Sequence, residues 1–525
     1  MDYVIGIDLG TTNSCVAVLD NGKAVVIPNT GGYKTSPSMF AVSPDGKRLV
    51  GHLAKRQAVT NARATVFGSK RLIGRRFDDP EVARVTRYAP FEIAHGSSDD
   101  VRISVGGRIF SCTEVAAIIL REMKGVAEDY LGQPVKQAVV TVPAYFNDTQ
   151  RKCTVDAGAI AGLEILRIIN EPTAAALAYG LGEAREEKVV IYDLGGGTFD
   201  VSILEFGDGV VEVLATAGNT FLGGEDFDQR LVEYVLQRVE ETQGLDLRED
   251  RMALQRLKDA VEKAKCDLSS VNITEINLPF IASNENGPWH LTLDLTREVL
   301  ESLISEIVEQ TVVTVAQCVS QAGLTPGDID HVLLVGGQTR MPFVQSTVSD
   351  FFGRQPHKGV NPDEVVAIGA AVQGHLLISE ERDLLLLDVT PMDLGIATFD
   401  GGMAPLVKRN TTIPASRAHH FTTTRDEQSS VKIRVLQGMS DRANENHLLG
   451  EFVLTDIPPA RSGEPDIEVT FDIDSNGIVK VHARDVATDS NQSITVDSTG
   501  TLSDEEIERI TRQHAEHVLP RSAVD

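Results

Sequence analysis

The chain runs to 525 residues, with 49 Lys and Arg against 76 Asp and Glu, a formal net charge of −27, and 42% hydrophobic residues. That length exceeds what one core holds and predicts about two to four domains. The acidic balance argues against nucleic acid or an anionic membrane surface as the main partner. The five cysteines (Cys15, Cys112, Cys153, Cys266 and Cys318) are scattered, with no CxxC pair or histidine cluster nearby. This argues against a disulfide framework or zinc site and fits a reducing compartment. Cys15 and Cys266 are expected as small buried filler. The opening MDYVIGIDLG carries no basic segment and enters a strand at once, and no apolar run approaches the roughly 18 residues that span a bilayer. A cytoplasmic protein is expected.

In chain order, the first signal is IGIDLGTTNS (Ile5 to Ser14), an apolar run that ends in Asp-Leu-Gly and continues into hydroxyl side chains. Strand patterns follow at 16–19, 138–142, 189–193, 201–204 and 332–335. Helical patterns occupy 114–130, 149–161, 173–179, 226–242 and 250–268. Their alternation over residues 1 to about 382 predicts an α/β architecture. VIYDLGGGTFD (Val190 to Asp200) repeats the first motif, which predicts two related lobes, the second starting near residue 185. Residues 380–388, Glu-Glu-Arg-Asp-Leu-Leu-Leu-Leu-Asp, make a poor flexible linker. They read equally as a buried edge strand and as a connector that docks in one state and is exposed in another. From 390 to about 502 the pattern changes to period two: Val431, Ile433 and Val435, then Ile467, Val469, Phe471 and Ile473, with a Ser475-Asn476-Gly477 turn. This predicts an antiparallel β-sandwich. From Ser503 a short helix is expected, opened by a Ser503/Glu506 capping box and ending before Pro520.

Two strand–turn motifs in two halves of one chain suit a polyphosphate held between jaws. Glycine lets a backbone approach an anion and offer it several N–H donors. Gly10, Thr11, Thr12 and Asn13 form one jaw, and Gly195, Gly196, Gly197 and Thr198 the other. Asp8 and Asp193, at the strand ends, suit a Mg²⁺ ion held through water. Lys70, in GSKRLIGRRF, would place positive charge on a transferring phosphoryl group. Glu171, on a loop opening a helix, would orient a water or sense the last phosphate. Read alone, Lys70 is a surface lysine and Glu171 a helix N-terminal charge. Glu262, Lys265 and Ser269 share one helical stripe, suited to a ribose and purine or simply to solvent. Gly336, Gly337 and Arg340 end another strand where a flat ring could pack.

The motifs IGIDLGTTNS, KRLIGRRF, VTVPAYFNDTQR, RIINEPTAAALAYG, YDLGGGTFDVSI, FLGGEDFD, VGGQTRMP, NPDEVVAIGAAVQG, LLLLDVTP and NTTIP occur in order across almost the whole chain. Together they resemble the seventy-kilodalton heat-shock chaperones of the bacterial DnaK type. The resemblance implies an actin- and hexokinase-like two-lobed ATPase domain (1–382) that uses ATP and Mg²⁺, a linker (383–389), a β-sandwich that binds peptide (390–502) and the start of a helical lid (503–525). It implies that Asp8, Asp193 and Asp200 serve the magnesium and attacking water, that Lys70 and Glu171 are catalytic, and that Thr198 touches the last phosphate. Glu262, Lys265, Ser269, Gly337, Arg340 and Asp363 match its adenosine site. Pro143 and Arg151 match an interdomain relay, and Leu384, Leu385, Leu386, Leu387 and Asp388, with Asp383 in front, match the linker. Arg167, Asn170 and Thr173 match its J-domain contact. Ile396, Phe399, Phe421, Val431, Ile433 and Ile467 match its peptide cleft. Implied partners are unfolded or extended hydrophobic polypeptides, a J-domain co-chaperone and a GrpE-type nucleotide exchange factor, around a monomer. Phe399 and Thr424 depart from the family's usual Met and Ala, and of the family's long helical lid only the first turns, Ser503 to about Val518, are expected, whether the protein is naturally lidless or the chain is a shortened version of it. The rival readings are a small-molecule kinase of the same superfold and an actin-like filament protein.

Overall fold

A computed structural model describes residues 3–515, apart from 181–185, 208, 249, 285–286, 358, 380–383, 489–490 and 496–500. Asp383 and the tail beyond Ala515 thus lie outside the described residues.

The two Asp-Leu-Gly motifs build the same local topology. Strand β1 (Val4–Asp8) turns back into β2 (Asn13–Asp20), followed by β3 (Lys23–Val26); β4 (Gln137–Val142) runs parallel to β1, and β5 (Glu164–Asn170) parallel to β4. The order in this first lobe is β5-β4-β1-β2-β3. In the second lobe β6 (Glu187–Leu194) turns back into β7 (Phe199–Gly207) and then β8 (Val210–Asn219), while β9 (His331–Val335) runs parallel to β6. Each motif therefore sits where a central strand meets its hairpin partner on one side and a parallel neighbour on the other. The strands predicted at 16–19, 138–142, 189–193, 201–204 and 332–335 all lie within these elements.

Helix α1 (Cys112–Leu131) starts where the Ser111 hydroxyl accepts the Glu114 N–H and stops at Gly132, in the left-handed region that glycine adopts freely. Helix α2 (Asp148–Ile160) opens with a capping box between Asn147 and Gln150. Helix α3 (Glu171–Gly180) follows β5 directly. Helix α4 (Arg251–Asp267) has Asp250 as its cap rather than its first residue. Leu257, Val261, Ala264 and Leu268 are buried as the pattern predicts, but Leu254 is only half-buried.

The lobes exchange helices. Helix α3 leaves the first lobe and buries Ala174–Leu177 among Val189, Ile191 and Leu204 of the second. Helix α5 (Val365–Ile378) leaves the second lobe, and its Ala367 and Ala371 cover Cys15, Ala17 and Val26 of the first. The two helices cross at backbone contact. A Cβ on Gly369 would lie 1.7 Å from the carbonyl oxygen of Ala174, and one on Gly6 would lie 2.0 Å from the nitrogen of Ala371.

The leucine segment is a strand here. β10 (Leu385–Val389) pairs parallel with β8 and extends the second lobe's sheet. Beyond it follow β11 (Asp393–Ala397), β12 (Met403–Val407), β13 (Thr412–Ile413), β14 (Ala415–Phe421), β15 (Val431–Gly438), β16 (His447–Leu454), β17 (Ile467–Ile473), β18 (Val479–Asp485) and β19 (Asn491–Thr495). β13 pairs antiparallel with β10. The rest form two antiparallel sheets, ordered β12-β11-β15-β16 and β14-β17-β18-β19, that share one core. Ile467, Val469, Phe471 and Ile473 point into that core, as the alternation requires.

Helix α6 (Asp504–Ala515) has the expected capping box: Glu506 N–H donates to Ser503 Oγ and Ser503 N–H to Glu506 Oε2, both at 3.2 Å. It returns to the first lobe, where Leu502 and Ile510 join the core formed by α1 and the first sheet. No helix among the described residues is long and apolar enough to cross a membrane.

Candidate functional site

The two glycine loops meet face to face. A Cβ on Gly196 would lie 1.9 Å from Thr12 Oγ1, and one on Gly197 would lie 2.5 Å from Thr11 Cγ2. Only glycine permits that approach, and the loops then form the floor of a cavity of about 850 Å³ between the lobes. Asp8, Gly10, Thr11, Thr12, Asn13, Lys70, Glu171, Asp193, Gly195, Gly196, Thr198, Glu262, Lys265, Gly336, Gly337, Arg340 and Asp363 line it. Gly197, Asp200 and Ser269 do not. Asp200 lies just behind the wall, where its carboxylate accepts the Tyr145 N–H at 3.0 Å.

Lys70 follows Gly68, whose left-handed backbone (φ 63°) opens a single 3₁₀ turn and turns the side chain inward. Its ammonium donates to Glu171 Oε1 at 2.6 Å, with both side chains about 10% exposed. Around this pair stand three more carboxyl groups. Burial, then the Glu171 charge, pushes Asp8 up to about 7 and Asp200 up to about 8; burial, Glu171, Asp200 and Asp8 hold Asp193 well above its ordinary value. Three buried acids, Glu171, Asp193 and Asp200, and the half-buried Asp8 thus face one ammonium. That surplus of hard oxygen donors fits a divalent cation such as Mg²⁺. No group of three or more ligating side chains among the described residues closes on a common point, so waters and substrate phosphates would complete the shell.

At the far end of the cavity Gly336 has φ 83°, and a Cβ there would lie 2.4 Å from the Leu194 carbonyl. Arg340 donates to Asp363 at 2.5 Å and Asn361 at 3.1 Å. Lys265 pairs with Asp228 at 2.8 Å, and Glu262 reaches across the cleft to Lys55 at 3.4 Å.

Sequence reasoning passed over several residues. Arg71, next to Lys70 in a motif already singled out, donates to the Gly197 carbonyl at 3.1 Å and to Asp226 at 2.5 Å. Arg71 and Arg84 each place a guanidinium 4.5 Å from the Phe221 ring. Lys258 donates to the Tyr88 carbonyl at 2.5 Å, and burial pushes its ammonium down to about 8. Cys266, expected as buried filler, is exposed and lines the cleft. A charged stripe carries it, and a side chain on that face of α4 meets the cavity rather than the core.

A second constellation joins the first lobe to the β-sandwich. Arg151, anchored on the carbonyls of Ala144 (3.0 Å) and Phe146 (3.2 Å), donates to Asn170 Oδ1 at 2.7 Å and reaches the Asn476 carbonyl at 3.4 Å. Pro143 is buried beside it. Asn476 Oδ1 accepts the Ile168 N–H at 2.9 Å. Thr173 donates to Asp388 of the leucine strand at 3.1 Å. Arg167 is half-buried, its Nε without a hydrogen-bond partner, near Asp388 and Asp474. Asn170 and Thr173 are 3% and 1% exposed. The contact surface that the resemblance implied is therefore covered, in this arrangement, by the strand and the Asn476 turn. Leu385 faces solvent while Leu386 packs inward; Leu384 and Leu387 are half-buried.

Of the cleft residues, Ile396, Ile433 and Ile467 belong to the sandwich core, and Phe421 and Val431 lie at its margin. Phe399, at the tip between β11 and β12, is 90% exposed. A family model described as Hsp70 protein matches residues 4–521, nearly the whole chain.

Proposed function

Because the chain belongs to the Hsp70 family, and is in that general sense an ATP-binding heat-shock chaperone with ATPase activity that acts in protein folding, we propose that it couples ATP hydrolysis in the interlobe cavity to the capture and release of extended hydrophobic polypeptides in the sandwich. The single observation that carries this reading is the strand β10. Its backbone pairs with β8 of the second lobe on one side and with β13, next to the sandwich, on the other. A ladder shared by both parts lets the state of one be felt by the other.

In the cavity, the amides and hydroxyls of Gly10 to Asn13 and Gly195 to Thr198 hold the phosphates. Lys70, held in place by Glu171, meets the charge that develops as the terminal phosphoryl group leaves. Asp200 and Glu171 orient the attacking water. Asp8 and Asp193 would hold Mg²⁺ through water, and the ion would supply charge neutralisation on the phosphates. Glu262, Lys265, Ser269, Gly336, Gly337, Arg340 and Asp363 hold the adenosine. The domain limits follow as 1–382, 383–389, 390–502 and 503–525. Extended chain adds beside an exposed strand edge of the sandwich, with Ile396, Phe399, Phe421, Val431, Ile433 and Ile467 offering the apolar pocket. A J-domain protein acts at Arg167, Asn170 and Thr173, which become reachable once the strand and the Asn476 turn move away. A GrpE-type factor opens the lobes.

Release of a fluorescent hydrophobic peptide, timed with ATP and with ADP, tests the reading. Faster release with ATP is expected; equal rates would overturn it. The kinase and filament readings have no observation in their favour: family membership speaks against both.

A further inference from the structure

The covering of the first lobe by the sandwich and by α6 buries two carboxyl groups that neither the hydrolysis nor the peptide site uses. Asp148 opens α2. Its backbone N–H donates to Gln437 of β15 at 3.0 Å, and its Oδ1 accepts the Val479 N–H of β18 at 2.7 Å. The other oxygen, Oδ2, is buried without a hydrogen-bond partner. The charged groups around it are Lys152 and Arg151 on its own helix and Asp474 at the start of the sandwich turn. Two turns on, Asp156 also has a buried Oδ2 without a hydrogen-bond partner; it faces Lys152 on its own helix and Asp504, the first residue of α6. At the other end of α6, His514 is buried with Nε2 2.9 Å from Glu114 and 3.4 Å from Arg48, while Arg121 donates to its carbonyl.

A carboxylate oxygen buried with no donor costs free energy that protonation removes. From outside their own helix these two acids are faced by Gln437, Val479 and Asp474 of the sandwich and by Asp504 of α6, none of which belongs to the first lobe. If the two parts separate during the cycle, as the reading above requires, water returns to both acids and they ionise at their ordinary values. We propose that docking of the sandwich and the terminal helix on the first lobe takes up protons at Asp148 and Asp156, so that mild acid favours the docked arrangement and mild alkali releases it.

The direction follows from linkage. Burial pushes Asp148 up to about 7, and burial together with Asp504 pushes Asp156 up to about 6, against an ordinary value of 3.8. A raised value in the docked state means that the favourable contribution is fully present below about pH 4 and is lost as pH rises through about 6 to 7. From about pH 6 to about pH 8, Asp148 contributes a fall of about tenfold in the docking constant and Asp156 about twofold, about 20-fold together.

Hydrogen exchange of the full chain, followed at 474–480 and 504–515 with ATP and with ADP across this pH range and corrected for intrinsic exchange, reads the docking constant directly. The expected result is the fall just given in the unmodified chain, and a flat profile in the chain carrying Asp148→Asn and Asp156→Asn, which mimic the protonated acids. The single substitution Asp156→Asn should keep the tenfold part. If protection differs between nucleotides but not with pH, the proton linkage is overturned while the coupling stands. If the double substitution keeps the full pH dependence, these two acids are not its source and the proposal is wrong. If protection is the same with both nucleotides at every pH, the coupling itself fails, and the linkage with it.

Discussion

The four leucines of the connector look equivalent in the sequence, and the structure predicts that they are not. Leu386 is 7% exposed and packs among the apolar residues of the second lobe, whereas its neighbour Leu385 is 55% exposed. The pleat of a strand accounts for the difference. Truncating a buried leucine to alanine costs about 2 to 4 kcal/mol through lost transfer energy and the cavity left behind. If β10 is paired in one state and free in the other, that cost falls on the paired state alone. At about 1.4 kcal/mol per tenfold, Leu386→Ala then shifts the equilibrium toward the free strand by a factor of about 30 to several hundred. Leu385→Ala removes contacts with water more than with protein, and its effect should stay within about 0.5 kcal/mol, or roughly twofold. The assay is the rate at which ATP releases a labelled peptide, read beside the rate at which that peptide stimulates ATP turnover. Leu386→Ala should abolish most of both responses and Leu385→Ala should leave them nearly intact. Equal effects of the two substitutions, or none from either, would refute the argument that pairing of this strand carries the signal.

Four further outcomes are expected. Lys70→Ala should lower single-turnover hydrolysis about a hundred- to a thousandfold while ATP still binds, because the glycine loops and adenosine contacts remain; unchanged turnover removes Lys70 from the chemistry. Gly369→Ala should lower stability by about 3 kcal/mol, the upper end of the range for overpacking, since the new Cβ meets backbone that cannot rotate away. Gly125→Ala, inside α1 with open space around it, should instead stabilise by up to about 1 kcal/mol, and chemical denaturation midpoints separate the two. Phe399→Ala should weaken peptide binding in an anisotropy titration with no change in the unfolding midpoint, because so exposed a ring contributes little to the fold; a lowered midpoint would contradict this.

What was legible in the sequence was whatever local chemistry determines. The glycine loops, the Asp8 and Asp193 strand ends, the Ser503 capping box and the period-two strands of the sandwich each carry their own signature. What remained hidden depends on contacts between distant segments. Nothing near Asn476 distinguishes a plain turn from one whose side chain accepts the Ile168 N–H. Cys266 and Lys265 are adjacent on one helix, yet one is exposed to the cleft and the other buried in an ion pair, a distinction set by which lobe stands opposite. Asp148 reads as a helix N-terminal charge until the sandwich is placed over it. The leucine run was ambiguous for the same reason: its strand pairs with β8 on one side and β13 on the other, two segments far from it or unremarkable in the sequence.

The exchanged helices bear on how the molecule is made. The first sheet is complete in sequence by β5, but Cys15, Ala17 and Val26 on one of its faces pack against Ala367, Ile368 and Ala371 of α5. That helix begins 195 residues after β5 ends (365 − 170). At ribosomal speeds of about 5 to 20 residues per second the gap lasts about 10 to 40 s. Through that interval these residues lack the helix that packs on them in the finished protein. A protein that attends to the unfinished surfaces of others thus emerges with one of its own, and any slowing of translation between the two lobes would lengthen its exposure.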